Sequence, residues 1–481
     1  MAAEFSGGAI EADHLCVLVH GLWGNPNHMA SVAKALRAQY PPEKVYILVA
    51  KRNSGSFTYD GIELGGERVC LEIEEELELI KSRGGNIRKL SMVGYSLGGL
   101  VARYAIGLLF ARGVLDNLEC MNFTAFASPF LGVRSPLRGW ANHMWNVMGA
   151  RTLCMSGRQL FGIDKFRDTG KPLLAVLADP GSIFMSGLAR FRRRTLYANI
   201  VNDHSAVFYT TAIAKTDPYA DMSRVQVRYL NERDWGTVLL DPADPVSPPL
   251  SPDRRAPREP LAAWVEKWGK RVSFVLALAL FIPIGIAAFL VNSAVQTVRS
   301  SRRVRLHERG LAGINVKDFR VNLWIKEIRE AVEDAYGNLN SAQGHDYLVD
   351  GHDSSSSSSS SSDGNGGAGG RRENGKAKGV MTPDTDEDGE EEVGDGDSAR
   401  RILALERKRS HVETGGHPTL ALAPYQFAAI EALDRLGWRK YPVWIQNHHH
   451  SHAAIIVRRD TRGFDEGRVV LRHWVTEEFL T

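Results

Sequence analysis

Three groups of residues, far apart in this 481-residue chain, have the types needed to split an ester. They are a serine between glycines in Gly94-Tyr95-Ser96-Leu97-Gly98, an acid in Asn202-Asp203-His204, and a histidine cluster in His448-His449-His450-Ser451-His452. A serine hydroxyl becomes a useful nucleophile when an imidazole can take its proton, and the imidazole needs a carboxylate to hold its tautomer and its positive form. Gly94 and Gly98 stand where side chains would collide with a sharp strand-to-helix turn, the kind that lifts a serine above a sheet edge. His20-Gly21-Leu22-Trp23-Gly24, after an early apolar run, has the composition of a loop that supplies a second backbone N–H to an oxyanion. The expected roles are Ser96 as nucleophile, His452 as base with His450 as second choice, and Asp203 as acid. The amides of Leu22 and Leu97 are the expected oxyanion donors, and His20, Gly21 and Tyr95 are expected beside the substrate. An aspartate at position 203 could instead cap a helix.

Positioning these groups requires strands that end at one edge. Apolar strand candidates near Leu15 to Val19, Val45 to Ala50, Leu90 to Val93, Phe123 to Phe126 and Leu196 to Ile200 alternate with helical patterns. That rhythm predicts an α/β fold, a mostly parallel sheet with helices on both faces. Gly66 to Arg83 reads as an amphipathic helix whose glutamates face solvent. A further strand over Val443 to Ile445 would bring up the histidine cluster. The apolar and aromatic stretch within 130–190, with Trp140, Met144, Trp145 and Phe161, suits either a lid over the site or ordinary core helices.

Net charge is only +3, which argues against nucleic-acid binding. The four cysteines, Cys16, Cys70, Cys120 and Cys154, are too widely spaced for a metal cluster and fit a reduced, cytosol-facing protein. No carboxylate or cysteine at ligand spacing completes the histidine cluster, so neither metal nor other cofactor is expected. Met1 to Ala12 lacks the basic and apolar regions of a signal peptide. Val272 to Val291 is apolar but for Ser273, close to the ~20 residues that cross a bilayer, with basic residues on both sides. Ser96 and Asp203 precede this run and His452 follows it, so a single crossing would divide one active site between two compartments. Pro283 and Gly285 allow a re-entrant hairpin instead, and a buried core helix is the remaining alternative. Val316 to Tyr336 reads as an amphipathic helix that could lie on lipid or on the core.

The resulting plan has a flexible N-terminus over 1–13, a core over 14–238 and a Pro-rich linker over 239–263. A membrane hairpin with basic flanks over 264–305, a helical region over 310–345, a disordered serine-rich and acidic insert over 346–415, and a core-completing segment over 416–481 follow.

Val17-Leu18-Val19-His20-Gly21-Leu22-Trp23-Gly24, Val93-Gly94-Tyr95-Ser96-Leu97-Gly98-Gly99-Leu100-Val101-Ala102-Arg103-Tyr104, Tyr197-Ala198-Asn199-Ile200-Val201-Asn202-Asp203 and Ser451-His452-Ala453 together resemble the serine esterase family of α/β-hydrolases, and within it a fungal lipid-droplet phospholipase branch. The resemblance spans roughly the first two hundred residues and the last sixty. It implies the α/β-hydrolase fold, and metal-free hydrolysis of acyl esters in glycerophospholipids or acylglycerols during lipid catabolism. It also implies a cytosol-facing core on a lipid droplet or the endoplasmic reticulum membrane. His204-Ser205-Ala206-Val207-Phe208 departs from the Val-Pro that related sequences often carry after the acid. An acyl-protein thioesterase would use the same residues, and a non-catalytic membrane scaffold would need none of them.

Overall fold

The computed structural model describes residues 2–134, 154–247, 291–292, 294–307, 309–310 and 417–481. Six parallel strands form one sheet: β1 (His14–Val19), β2 (Val45–Val49), β3 (Lys89–Tyr95), β4 (Glu119–Phe126), β5 (Arg193–Asn199) and β6 (Arg439–Val443). Their spatial order is β2-β1-β3-β4-β5-β6, every pair parallel. β1 is buried along its whole length because helices cover both sides, so it reads as a continuous apolar run rather than an alternating one. Alternation survives in where its side chains point. Leu15, Val17 and Val19 enter one apolar cluster, Cys16 and Leu18 the other.

On the first face lie α2 (Ile62–Ser82), α3 (Leu97–Ala111) and α4 (Ile183–Ala189), with Val69, Ile73, Leu100, Tyr104 and Phe184 in the shared core. On the second lie α1 (Ala30–Gln39) and the carboxyl-terminal helix α6 (Asp465–His473), joined through Val32, Leu36, Val470 and Trp474. Between them in the chain, α5 (Pro424–Asp434) packs Phe427 and Ile430 into the first core.

Register aligns the strand ends: Val19 opposes Gly94, Tyr95 opposes Phe126, Phe126 opposes Tyr197, and Asn199 opposes Val443. The residues that follow β1, β3, β5 and β6 therefore emerge at one edge. β1 has its sequence neighbour β2 on one side and β3 on the other. The crevice between β1 and β3 is thus the point where the chain direction across the sheet reverses, where such folds place their sites.

Several segments differ from the sequence expectation. The amino terminus is packed rather than loose: Gly7 bridges Ile47, Ala12 is buried, and the Arg37 guanidinium donates to the Gly7 carbonyl. The linker begins later than 239, because Leu239 and Leu240 are fully buried and the Leu240 N–H donates to the Pro442 carbonyl on the edge strand. Within 130–190, residues 154–190 form short helices with Leu173, Leu177, Ile183 and Phe184 in the core, so this part supports the fold. Residues 135–153 lie outside the described part. The last strand ends at Val443, where the sequence pattern begins it. The apolar run up to 290, nearly all of the 310–345 region and the whole 346–415 insert also lie outside the described residues. Among the described residues, no helix is long and apolar enough to cross a membrane.

Candidate active site

Ser96 occupies the corner between β3 and α3 with φ 55° and ψ −128°, a strained backbone for a side-chain-bearing residue. The Ser96 N–H donates to the Phe126 carbonyl at 2.9 Å, and Gly99 N–H returns to the Ser96 carbonyl at 3.1 Å, so the turn is fixed from both sides. Glycine is required around it. A Cβ on Gly98 would lie 2.2 Å from the Val19 carbonyl oxygen, and one on Gly21 would lie 2.7 Å from the Ser96 Cβ. The loop after β1 therefore lies in van der Waals contact with the serine. Leu22 follows Gly21 in that loop, and Leu97 opens α3, where helix N–H groups have no carbonyl of their own turn to bond.

His452 stands on a helical turn (Ser451–Ala454) beyond β6. Its Nε2 is 2.9 Å from Ser96 Oγ, and its Nδ1 is 2.8 Å from Asp203 Oδ2. A carboxylate only accepts, so Nδ1 carries the proton and Nε2 is left to accept from the serine hydroxyl. The Ser451 hydroxyl donates to the Val201 carbonyl at 2.8 Å, tying the base turn to the acid loop. His450 does not share this position: it is exposed, beside His448 at a ring separation of 5.5 Å.

Asp203 is buried and fully hydrogen-bonded. Its Oδ1 accepts from the Ser205 and Ala206 N–H groups at 3.0 and 2.8 Å, and its Oδ2 accepts from Asn199 Nδ2 at 2.9 Å as well as from His452. Burial alone pushes its carboxyl pKa up, but the His452 charge and these donors outweigh burial and hold it below the usual value. Asp203 thus stays ionised, which is what a partner for an imidazolium must do. The acid loop that departs from the family pattern still supplies two backbone donors, from Ser205 and Ala206.

Two residues expected beside the substrate have other places. Tyr95 is buried, and its hydroxyl donates to the His452 carbonyl at 2.9 Å while its ring lies 5.1 Å from the imidazole. Period-2 alternation along β3 turns it beneath the site, so it braces the base. His20 is buried with Nδ1 3.1 Å from the Gly21 carbonyl, and burial lowers its pKa, leaving a neutral ring that shapes the loop. Gly21 lies against Ser96, as described above. Sequence reading missed Asn199, the Ser205 and Ala206 amides, and the bracing role of Tyr95. The Asn-x-x-x-Asp spacing at the end of β5 was the one available signal. Among the described residues, no group of three or more His, Cys, Asp or Glu could hold a metal.

A parallel sheet of this order, with serine after β3, acid after β5 and histidine after β6, is an α/β-hydrolase with a serine-esterase arrangement of groups. Residues 9–216 match the family model described as "Putative serine esterase (DUF676)". "Putative lipase ROG1" of Saccharomyces cerevisiae is 31% identical over 50% of this chain and 33% of its own length. "Putative lipase YDL109C" of the same yeast is 30% identical over 43% of this chain and 31% of its own length. The chain thus spans about a third of the length of these curated relatives. Among solved structures, a putative cell surface hydrolase from Lactobacillus plantarum overlaps 42% of this chain and 75% of its own, with 13% identity and a TM-score of 0.24.

Proposed function

We propose that this protein is a serine lipase that hydrolyses acyl esters of glycerophospholipids or acylglycerols in lipid catabolism. It would act on a lipid droplet or the endoplasmic reticulum membrane, with its core facing the cytosol. The observation that carries the chemistry is the relay Asp203, His452, Ser96, with contacts of 2.8 and 2.9 Å. The lipid substrate is supported by the names of the two yeast relatives and by the apolar run of 272–291 in the sequence.

In this reading His452 Nε2 removes the Ser96 proton as Oγ attacks the ester carbonyl. The tetrahedral oxyanion is received by the Leu22 and Leu97 amides. His452 returns the proton to the departing alcohol, leaving an acyl-serine. Water, activated by the same imidazole, then releases the fatty acid. Asp203 stabilises the imidazolium in both halves without taking the proton.

The test is fatty-acid release from phosphatidylcholine vesicles and triacylglycerol emulsions by the purified chain, with Ser96→Ala as control. Release that the control lacks, together with fluorophosphonate labelling at Ser96, is expected. Parent-rate release by Ser96→Ala would show that another group does the chemistry. Turnover of acyl-cysteine peptides alone would replace lipid by protein thioester as substrate.

A further inference from the structure

Beside the serine, the loop after β1 presents Trp23 outward, 55% exposed, with φ 54°. An exposed indole held in the left-handed region is both a solvation cost and a backbone cost, which points to a role in contact. The Trp23 N–H donates to Thr58 Oγ1 at 3.1 Å, and the Gly55 N–H donates to the Gly24 carbonyl at 2.8 Å. The catalytic loop is therefore stitched to residues 55–60, where Phe57 is exposed as well.

Onto that same segment is fastened the helical stretch 294–307, which lies just beyond the apolar run. The Arg303 guanidinium grips the buried Asp60 carboxylate through contacts of 2.7 to 3.0 Å and donates to the Ser56 carbonyl at 2.8 Å. Arg68 holds Asp60 from the other side at 2.7 Å, and both guanidiniums lie about 5 Å from the Phe57 ring centre. His307 reaches buried Glu67 at 2.5 Å, and the Ser300 hydroxyl reaches the Tyr59 carbonyl at 3.2 Å. Buried ionic contacts are costly to desolvate and fix orientation more than they add stability, so this is a clamp with one geometry.

The outward side of the clamped helix begins apolar. Val291, Val295 and Val298, at spacings of four and three, are 65, 43 and 67% exposed. Val291 is also the last residue of the 272–291 run. Arg299, Arg302 and Arg305 are exposed on the same stretch and suit anionic headgroups. Single exposed apolar residues are ordinary, but a set that joins a catalytic loop to an apolar run is not.

We infer that Trp23, Phe57 and the Val291, Val295, Val298 face form the surface by which the protein rests on a phospholipid layer, with the Arg303–Asp60 clamp holding the mouth of the site toward that layer. This rests on the lipase reading for its substrate and adds the orientation of the site. Indole at the headgroup level and valines in the outer acyl region are the positions these side chains prefer.

The four native cysteines are buried, so single introduced thiols can be labelled selectively. The full chain carrying an environment-sensitive fluorophore at Trp23→Cys, at Val298→Cys or at Lys81→Cys is bound to phosphatidylcholine and phosphatidylserine vesicles containing nitroxide-labelled phospholipid. Lys81 is exposed at the far end of α2, roughly 30 Å along the helix from Gly61. Quenching at 23 and 298 but not at 81 is expected. Equal quenching at all three, quenching at 81 alone, or failure of the chain to float with vesicles overturns the proposal. So does a label at 298 already shielded from iodide without lipid, which would mean that another part of this chain or a second copy covers the face. A Val295→Asp, Val298→Asp double variant should lower vesicle turnover about tenfold, equivalent to about 1.4 kcal/mol, with soluble-ester turnover kept; equal losses on both substrates would also overturn it. Fluorophosphonate labelling and soluble-ester turnover report on the lipase reading independently.

Discussion

Asp203 gathers four hydrogen bonds on two oxygens, one of them from the base. An asparagine there cannot satisfy them all, because its NH2 would face either the imidazole or the Ser205 and Ala206 N–H groups. With the NH2 toward His452, the ring turns to the tautomer that cannot accept the Ser96 proton. Asp203→Asn is therefore expected to lower kcat by about 10³ to 10⁴-fold. The melting temperature should shift by far less than the rate implies, and steady-state assays on a soluble ester beside a thermal melt separate the two. A loss below tenfold would mean that Asp203 caps its loop and nothing more. At this scale the nucleophile was legible because its glycine spacing is a backbone requirement. The base was legible as His452 ahead of His450, within four histidines in five positions, and the helical turn after β6 is what sets His452 against Ser96. Tyr95 was misread because a motif gives proximity along the chain, whereas strand parity decides which side of the sheet a ring joins.

Elements explain the rest of the legibility. β1 to β5 each contain a buried apolar stretch, so composition locates them within a few residues. β6 begins Arg439-Lys440-Tyr441-Pro442, a poor strand by propensity, and is allowed because it is the edge strand, where proline is tolerated. Its charge is answered from elsewhere: the buried Glu478 accepts from Arg439, Tyr441 and Thr195 at 2.7 to 3.0 Å. No local pattern could announce a partner for Arg439 that arrives 39 residues later. Trp474 makes the same point for α6. It is fully buried on the sheet, its indole N–H donates to Thr124 Oγ1 at 3.0 Å, and Phe126 packs edge-on at 5.6 Å. Trp474→Ala removes that contact and opens a cavity, and is expected to cost about 3–5 kcal/mol of stability. Urea unfolding at fixed pH measures it. A cost under about 1 kcal/mol would show that α6 can collapse onto the sheet without the indole.

For the molecule as a whole, long-range assembly leaves ionisable groups in the interior, and their effects on stability oppose one another. Burial lowers the pKa of His14 and His473 from 6.5 to about 4. Between those values the unfolded chain takes up protons that the folded chain refuses, so these histidines favour folding less as pH falls. Burial raises Asp164 from 3.8 to about 6, and one of its oxygens, Oδ1, is buried without a partner among the described residues while Oδ2 accepts from the Leu173 N–H at 3.0 Å. Here the folded chain keeps a proton that the unfolded chain has lost. The associated stability is fully present below pH 3.8 and is lost as pH rises through about 6. The two kinds of group bend the pH profile in opposite directions over nearly the same window, and the two histidines outweigh the one aspartate, so together these three groups should make the parent protein lose stability toward acid. Asp164→Asn removes one side of the balance and can keep the bond from Leu173. Relative to the parent, the variant should gain stability on going from pH 4 to pH 7 by roughly 2–3 kcal/mol, the worth of a shift of about two pKa units. Its own stability should then fall more steeply toward acid than the parent's. Denaturant unfolding of both proteins at pH 4, 5.5 and 7 tests this. A difference that stays constant across the three would mean that Asp164 is ionised in the folded and unfolded chains alike.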